Sequence, residues 1–229
     1  MLQGPEALLT GLDGPGLFVA LGAAFLLGLR HATDPDHLTA ISTLLVGERD
    51  QGARRAARLG LAWGTGHALT LLMLGLPVVL FQRALPGWAG PAAECLVGLV
   101  IIALAARLLL RWRRGYLHTH RYSSGARTAR EALGVGLLHG AGGSGAAGAM
   151  LIGTAAGPGH AALALLIFAA GTAVSMGLAS AAVGFVLGGP ARVRAFQQLI
   201  PLVGLGGLAF GVWYAASAVR AMSVPFGPS

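Results

Sequence analysis

Cysteine occurs once in this chain, at Cys95, and lysine does not occur at all. A single thiol can form neither an internal disulfide nor a paired-thiol redox centre, so six-helix thiol carriers are excluded. The missing lysine has no mechanistic meaning: the basic residues are all arginine, as expected from genome composition. Charge of either sign is scarce, at 10% of residues, whereas 55% are hydrophobic and fall in runs that recur along the whole length. That balance excludes an ordinary soluble domain and indicates a polytopic membrane protein. No basic residue precedes Arg30. The basic start of a cleavable signal is therefore lacking, and the first segment is expected to remain in the mature protein.

A helix needs about 20 apolar residues to cross the hydrocarbon core. Stretches near 15–46, 59–82, 91–110, 132–154, 161–188 and 199–220 meet or approach that length, which predicts an all-α protein of six transmembrane helices in one domain, 1–229. Glycines spaced as in Gly60-x-x-x-Gly64 and Gly184-x-x-x-Gly188 let such helices approach closely. The net charge of +8 suggests nucleic acid only until its placement is considered. Arginines follow the first, third and fifth segments, with the densest group in a loop at about 111–131, and only Arg83 lies in the alternate loops. By the positive-inside rule the basic loops face the cytoplasm and both termini lie outside. The expected surroundings are the lipid bilayer of the cytoplasmic membrane, and no nucleic acid.

The chain also repeats itself. Gly28-Leu29-Arg30-His31 recurs as Gly136-Leu137-Leu138-His139, Gly64-Thr65 as Gly171-Thr172, and Leu96-Val97-Gly98-Leu99 as Leu202-Val203-Gly204-Leu205. Three matches in order at nearly one offset predict two homologous halves, about 15–112 and about 132–220. Three crossings per half is an odd number, so the halves are expected to be inverted, with any substrate site near the midplane on discontinuous helices.

The first segment is too long for one straight crossing, and its middle reads "GLRHATDPDHLTA". Pro35 cannot donate to a helix ladder and disfavours helical geometry at Asp34, which predicts a break within residues 31–37. Ionisable groups at that depth are expensive and by default mark a site or pathway. His31, Asp34, Asp36 and His37 combine imidazole nitrogen with carboxylate oxygen, a donor set that suits Ni²⁺, Co²⁺ or Zn²⁺ better than Mg²⁺ or Ca²⁺. His67, in a Gly64-x-Gly66 turn of segment two, is a further candidate ligand. His139, the repeat counterpart of His31, reads as a secondary ligand or as a hydrogen-bonding partner of the site. Glu94 follows Pro91 and reads either as a helix cap or as a cation-attracting group at the outer mouth. Arg30 reads as a partner for Asp34 or as an anchor. His118 and His120 read as solvated loop residues, and His160 as an outer-loop residue.

"RHATDPDH" resembles the signature of the nickel/cobalt permease superfamily, whose members are multi-helix secondary transporters. "GTGHALT" is similar to that family's second histidine motif. "ECLVGL" and "HGAGGSGA" are similar to segments of its shorter members, the urease-accessory and sulfite-exporter-like branch. The resemblance covers most of residues 20–185. It implies a core metal site of His31, Asp36 and His37, with Asp34 and His67 beside it. Pro35 stands where the family commonly has alanine, and Gly142-Gly143-Ser144-Gly145 replaces the acidic motif of the longer permeases.

These readings lead to an expected function: secondary transport of Ni²⁺ or Co²⁺ through an intramembrane His/Asp site. The ion is cargo, and no prosthetic group is expected. The alternative is a membrane accessory protein that supplies metal to enzyme maturation without transport of its own. A homo-oligomer or a metallochaperone partner is compatible with either. No enzymatic role is expected. A serine protease built on Ser144 would need a histidine base from a later helix, and no histidine follows His160. A haem site between His31, His67 or His139 would rarely be flanked by two carboxylates.

Overall fold

The computed structural model describes residues 15–45, 52–81, 86–114, 128–142, 157–187 and 190–223. Among these it contains seven helices and no strand: α1 (Pro15–His31), α2 (Pro35–Leu45), α3 (Ala53–Phe81), α4 (Ala89–Arg113), α5 (Ala129–His139), α6 (Pro158–Leu187) and α7 (Pro190–Ser223). The sequences of α3, α4, α6 and α7 are long and apolar enough to cross a bilayer, and α1 with α2 forms a fifth candidate span bent by 49°. The chain is a multi-pass, all-α membrane protein. The predicted fourth segment is described only as far as residue 142, so a sixth crossing lies partly outside the described residues.

The helices overrun the apolar windows that predict them. α3 begins at Ala53 and takes in Arg54, Arg55 and Arg58, and α4 runs on to Arg113. Arginine is a good helix former whose long stem lies along apolar surface while its head reaches water. The helix therefore continues past the hydrocarbon edge.

The bend between α1 and α2 follows from proline chemistry. Pro35 has no N–H, so the last α1 carbonyls must find other donors. The Thr33 N–H turns to the Arg30 carbonyl at 2.8 Å, and the Asp34 N–H to the His31 carbonyl at 3.2 Å. Pro35 then opens α2 at the first helical position, where a missing N–H is harmless. The break is thus residues 32–34, shorter than the predicted 31–37, and Asp36 and His37 are helical. α5 ends in the same manner, with the Gly142 N–H on the His139 carbonyl at 3.2 Å. Its start is fixed by a capping box between Thr128 and Glu131.

Glycine-mediated approach sets the packing. Gly60 lies against Met176 and Ser180, Gly64 against Ala173 and Gly75 against Leu165, so α3 and α6 are antiparallel. Gly98 meets Ala215 and Gly204 meets Leu109, so α4 and α7 are antiparallel as well. α1 runs parallel to α6, with Phe25 against Gly171 and Leu29 against Ser175. α5 runs parallel to α3, with Gly136 against Trp63 and Gly140 against His67. The residues Gly64-x-Gly66, expected as a turn, lie inside unbroken helix α3: their missing side chains admit Ala173 and the α5 backbone. Ala56 meets Gly184, and Arg107 pairs with Glu131 at 3.8 Å. The arginine-bearing ends of α3, α4 and α5 and the C-terminal end of α6 therefore share one end of the bundle.

Two glycines in α5 give a direct test of this packing. A methyl at Gly136 would collide with the Trp63 carbonyl, whereas one at Gly134 meets nothing within 4 Å. Gly136→Ala forces α5 off α3 and is expected to lower stability by about 1–3 kcal/mol. Gly134→Ala is expected to be neutral or stabilising by up to about 1 kcal/mol. Thermal unfolding of the purified variants in detergent measures both, and equal effects would contradict this packing.

Candidate metal centre

Four histidines, three buried and His31 partly so, converge where α1 stops, α2 starts, and α3 and α5 pass. His31 is the last residue of α1 and His139 the last of α5. His37 lies in α2 just after Pro35, and His67 lies inside α3. Ring centroids are 4.6 Å apart for His31 and His37, 4.9 Å for His37 and His67, 5.3 Å for His31 and His67, and 4.6 Å for His37 and His139. His37, His67 and His139 are at most 1% exposed. The cluster sits between two apolar cores, one holding Ala32, Ile41 and Trp63, the other Ala24, Leu71 and Phe168. Water is kept from most of it.

The carboxylates sit behind the rings. His31 Nδ1 donates to Asp34 Oδ2 at 3.0 Å, and His37 Nδ1 donates to Asp36 Oδ1 at 3.0 Å. The second Asp36 oxygen accepts from His139 Nε2 at 3.2 Å, so one carboxylate orients two rings. An ionised carboxylate only accepts, which puts the proton on the bonded nitrogen and leaves a lone pair on the other. The nitrogens left over are His31 Nε2, His37 Nε2 and His139 Nδ1, and none has a partner among the described residues. Both ring nitrogens of His67 are also buried without a partner. Buried nitrogen without a hydrogen bond is costly, by roughly 1–3 kcal/mol per group. A bound cation would give the lone pairs among them a partner.

Two triads have ligand atoms within 4.8 Å of one another: His31, His37 and His67, and Asp36, His37 and His139. His37 belongs to both. Three neutral imidazoles, two of them backed by carboxylates, are a donor set for a borderline first-row divalent ion. Asp34 is the wetter acid, its side chain 43% exposed against 17% for Asp36, so it marks the open side of the cluster.

The other sequence candidates fall apart from this centre. Arg30 is exposed and makes no ion pair with Asp34, whose carboxylate is taken by His31. α4 begins at Ala89 with no acid in its first turn, so Glu94 is half-buried in the second turn and caps nothing. His160 lies in the first turn of α6 and not in a loop, because Pro158 starts the helix. Ser144, His118 and His120 lie outside the described residues.

Two aromatic rings escaped the sequence reading. Trp63 packs 5.6 Å from the His139 ring and 5.7 Å from His37, and Phe168 packs 5.4 Å from His31. Trp63 stands one helical turn before His67, a spacing that puts both on one face. That spacing was the available signal, but an aromatic residue in an apolar segment gives no reason to single it out.

Neither a protein-family model nor a solved structure matches the chain. Among curated proteins it is similar to urease accessory protein UreH of Bacillus sp. (strain TB-90), 27% identical over 214 residues. The match covers 89% of this chain and 93% of that protein, so the likeness extends over nearly the whole of both and is not confined to the histidine motifs.

Proposed function

We propose that the protein is a secondary transporter of Ni²⁺ or Co²⁺ in the cytoplasmic membrane, with the imidazole cluster as its ion site. The observation that carries this reading is that His31, His37 and His67, from three helices, each bring a ring nitrogen to within 4.8 Å of the others, and each has a buried ring nitrogen with no partner among the described residues. These three are the ligands. Asp34 and Asp36 orient the rings and offset the ion's charge from behind, in the carboxylate–histidine–metal arrangement. His139 shares Asp36 and flanks a second position for the ion beside His37. This division of labour differs from the one the family resemblance implies, in which Asp36 is itself a ligand.

The transport reading draws on the pairing of the helices. The proposed halves, each carrying three crossings of one transmembrane unit, exchange their contacts. α1 grips α6 as α5 grips α3, and the remaining large contacts, α3 with α6 and α4 with α7, are antiparallel. An inverted repeat has this pattern. The same contacts equate Gly66-His67 with Gly171-Thr172, two residues along from the match at Gly64-Thr65. His67 then has Thr172 as its counterpart, and the ion site is built mainly by the first half. Alternating access comes from movement of one half against the other around the broken helix. The shared arginine-rich end faces the cytoplasm by the positive-inside rule.

A second reading is favoured by one finding, the likeness to a protein named as a urease accessory protein. In that case the chain holds metal for enzyme maturation without moving it. Purified protein titrated with Ni²⁺, Co²⁺, Zn²⁺ and Mg²⁺ tests the site that both readings need. Ni²⁺ or Co²⁺ is expected to bind more tightly than Mg²⁺, and His67→Ala is expected to weaken it at least about tenfold. Unchanged binding in His67→Ala would remove His67 from the site. Ion flux into proteoliposomes then separates the readings: binding with no flux leaves the accessory role.

A pH series gives an independent test. Only neutral imidazole can ligate, so protons and metal compete for the same lone pairs. Affinity is expected to be highest where the rings are neutral and to fall progressively as pH drops and protons occupy the ligand nitrogens. Affinity that does not fall down to the pH at which the protein unfolds would count against an all-imidazole ligand set.

A further inference from the structure

Two hydroxyl groups join the halves at matched places. Ser175 Oγ, on α6, donates to the Leu29 carbonyl of α1 at 2.6 Å. Thr70 Oγ1, on α3, donates to the Leu137 carbonyl of α5 at 2.8 Å. Each accepting carbonyl lies two residues before the histidine that ends its helix, His31 in one case and His139 in the other. Each donor comes from the long helix of the opposite half, four residues beyond a glycine in close backbone contact. Gly171 touches Phe25, and Gly66 touches Leu133. The aromatic partners follow suit, Phe168 on His31 and Trp63 on His139.

The reason for the hydroxyls lies in the backbone. The Thr33 N–H bonds the Arg30 carbonyl, one residue later than a regular helix would have it, and Ser175 supplies a donor to Leu29. In hydrocarbon a broken helix persists only where neighbours satisfy the backbone groups it releases. Other hydroxyls in these helices bond back within their own helix, as Thr172 does to Phe168 and Thr65 to Leu61. Ser175 reaches across to another helix and Thr70 does so as its shorter bond, its other contact being Gly66 at 3.4 Å.

We propose that Ser175 and Thr70 are positioning residues: the Ser175 hydroxyl sets the place of His31 and the Thr70 hydroxyl sets that of His139, each across the interface between halves. The role in ion binding rests on the metal reading above; the positioning itself does not. Its consequence is mechanical. His31 belongs to the first half in sequence but is held to α6, whereas His67 is part of α3. Movement of α6 along α3 therefore draws His31 away from His67 and opens the ligand set.

The test uses the full-length protein in detergent, with histidine ring ¹⁵N resonances assigned from single His→Ala variants and no metal present. Ser175→Ala is expected to shift the His31 ring resonances and leave those of His139 in place, and Thr70→Val to do the reverse. Ser175→Thr, which restores a hydroxyl, is expected to return His31 towards its original position. Ser180→Ala removes another buried α6 hydroxyl, one with no partner among the described residues, and is expected to move neither ring. If Ser175→Ala shifts neither ring or both alike, the proposal is overturned. If that variant does not fold, Ser175→Cys, a weaker donor of similar size, is read in the same way. A Co²⁺ titration of the same variants forms the second arm, in which Ser175→Ala weakens binding about three- to tenfold and alters the visible absorption bands. Absence of Co²⁺ and Ni²⁺ binding in the unaltered protein overturns the metal reading, and the metal-free resonances still decide the positioning.

Discussion

Inside a bilayer a polar group has no water to fall back on, so each must be satisfied by protein or by whatever the protein binds. This requirement governs the centre of the molecule. Breaking the helix after His31 releases backbone groups, and the Thr33 and Asp34 amides, the Thr33 hydroxyl and Ser175 take up the carbonyls of that last turn. The carboxylates of Asp34 and Asp36 are satisfied by imidazole N–H groups. What remains is a cluster of imidazole nitrogens that offers four lone pairs against the single N–H of His67, so they cannot all be satisfied among themselves. The same rule that makes the broken helix tolerable leaves buried ring nitrogens with no partner among the described residues.

The small residues make this arrangement sterically possible. Lipid offers no hydrophobic drive for helix association, so close contact must come from backbones that touch. Gly28 and Gly171 let α1 lie on α6, and Gly66 and Gly136 let α5 lie on α3. These contacts are one turn or less from His31, His67 and His139. The apolar cores around Trp63 and Phe168 then close over the rings. The packing contacts and the histidine cluster are thus carried by adjacent residues.

Much of this was legible along the chain. The run of apolar segments announced an all-helical membrane protein, and Pro35 within an overlong segment announced the break, because proline's missing N–H acts locally whatever surrounds it. His31, Asp34, Asp36, His37 and His67 could be named because ionisable residues are conspicuous in an apolar background. Local rules misjudged other positions. Gly64 and Gly66 read as a turn, since glycine permits turns, but the reason for their lack of side chain lies on α5 and α6. Glu94 read either as a cap or as a cation-attracting group, and the cap falls away because the helix starts before Pro91.

The roles within the cluster were beyond the reach of the chain alone. Composition and spacing supply histidines and acids, but not which ring each acid bonds and which ring nitrogens are left without a partner. That depends on the direction of each side chain after the bend, and on α3 and α5 arriving from distant parts of the sequence. Asp36 joins His37 to His139, and Ser175 and Thr70 reach backbone carbonyls far along the chain, through contacts that no local pattern encodes. Residue chemistry and helix length are properties of neighbours in sequence. The ligand geometry is a property of neighbours in space, and it exists only once the helices have packed.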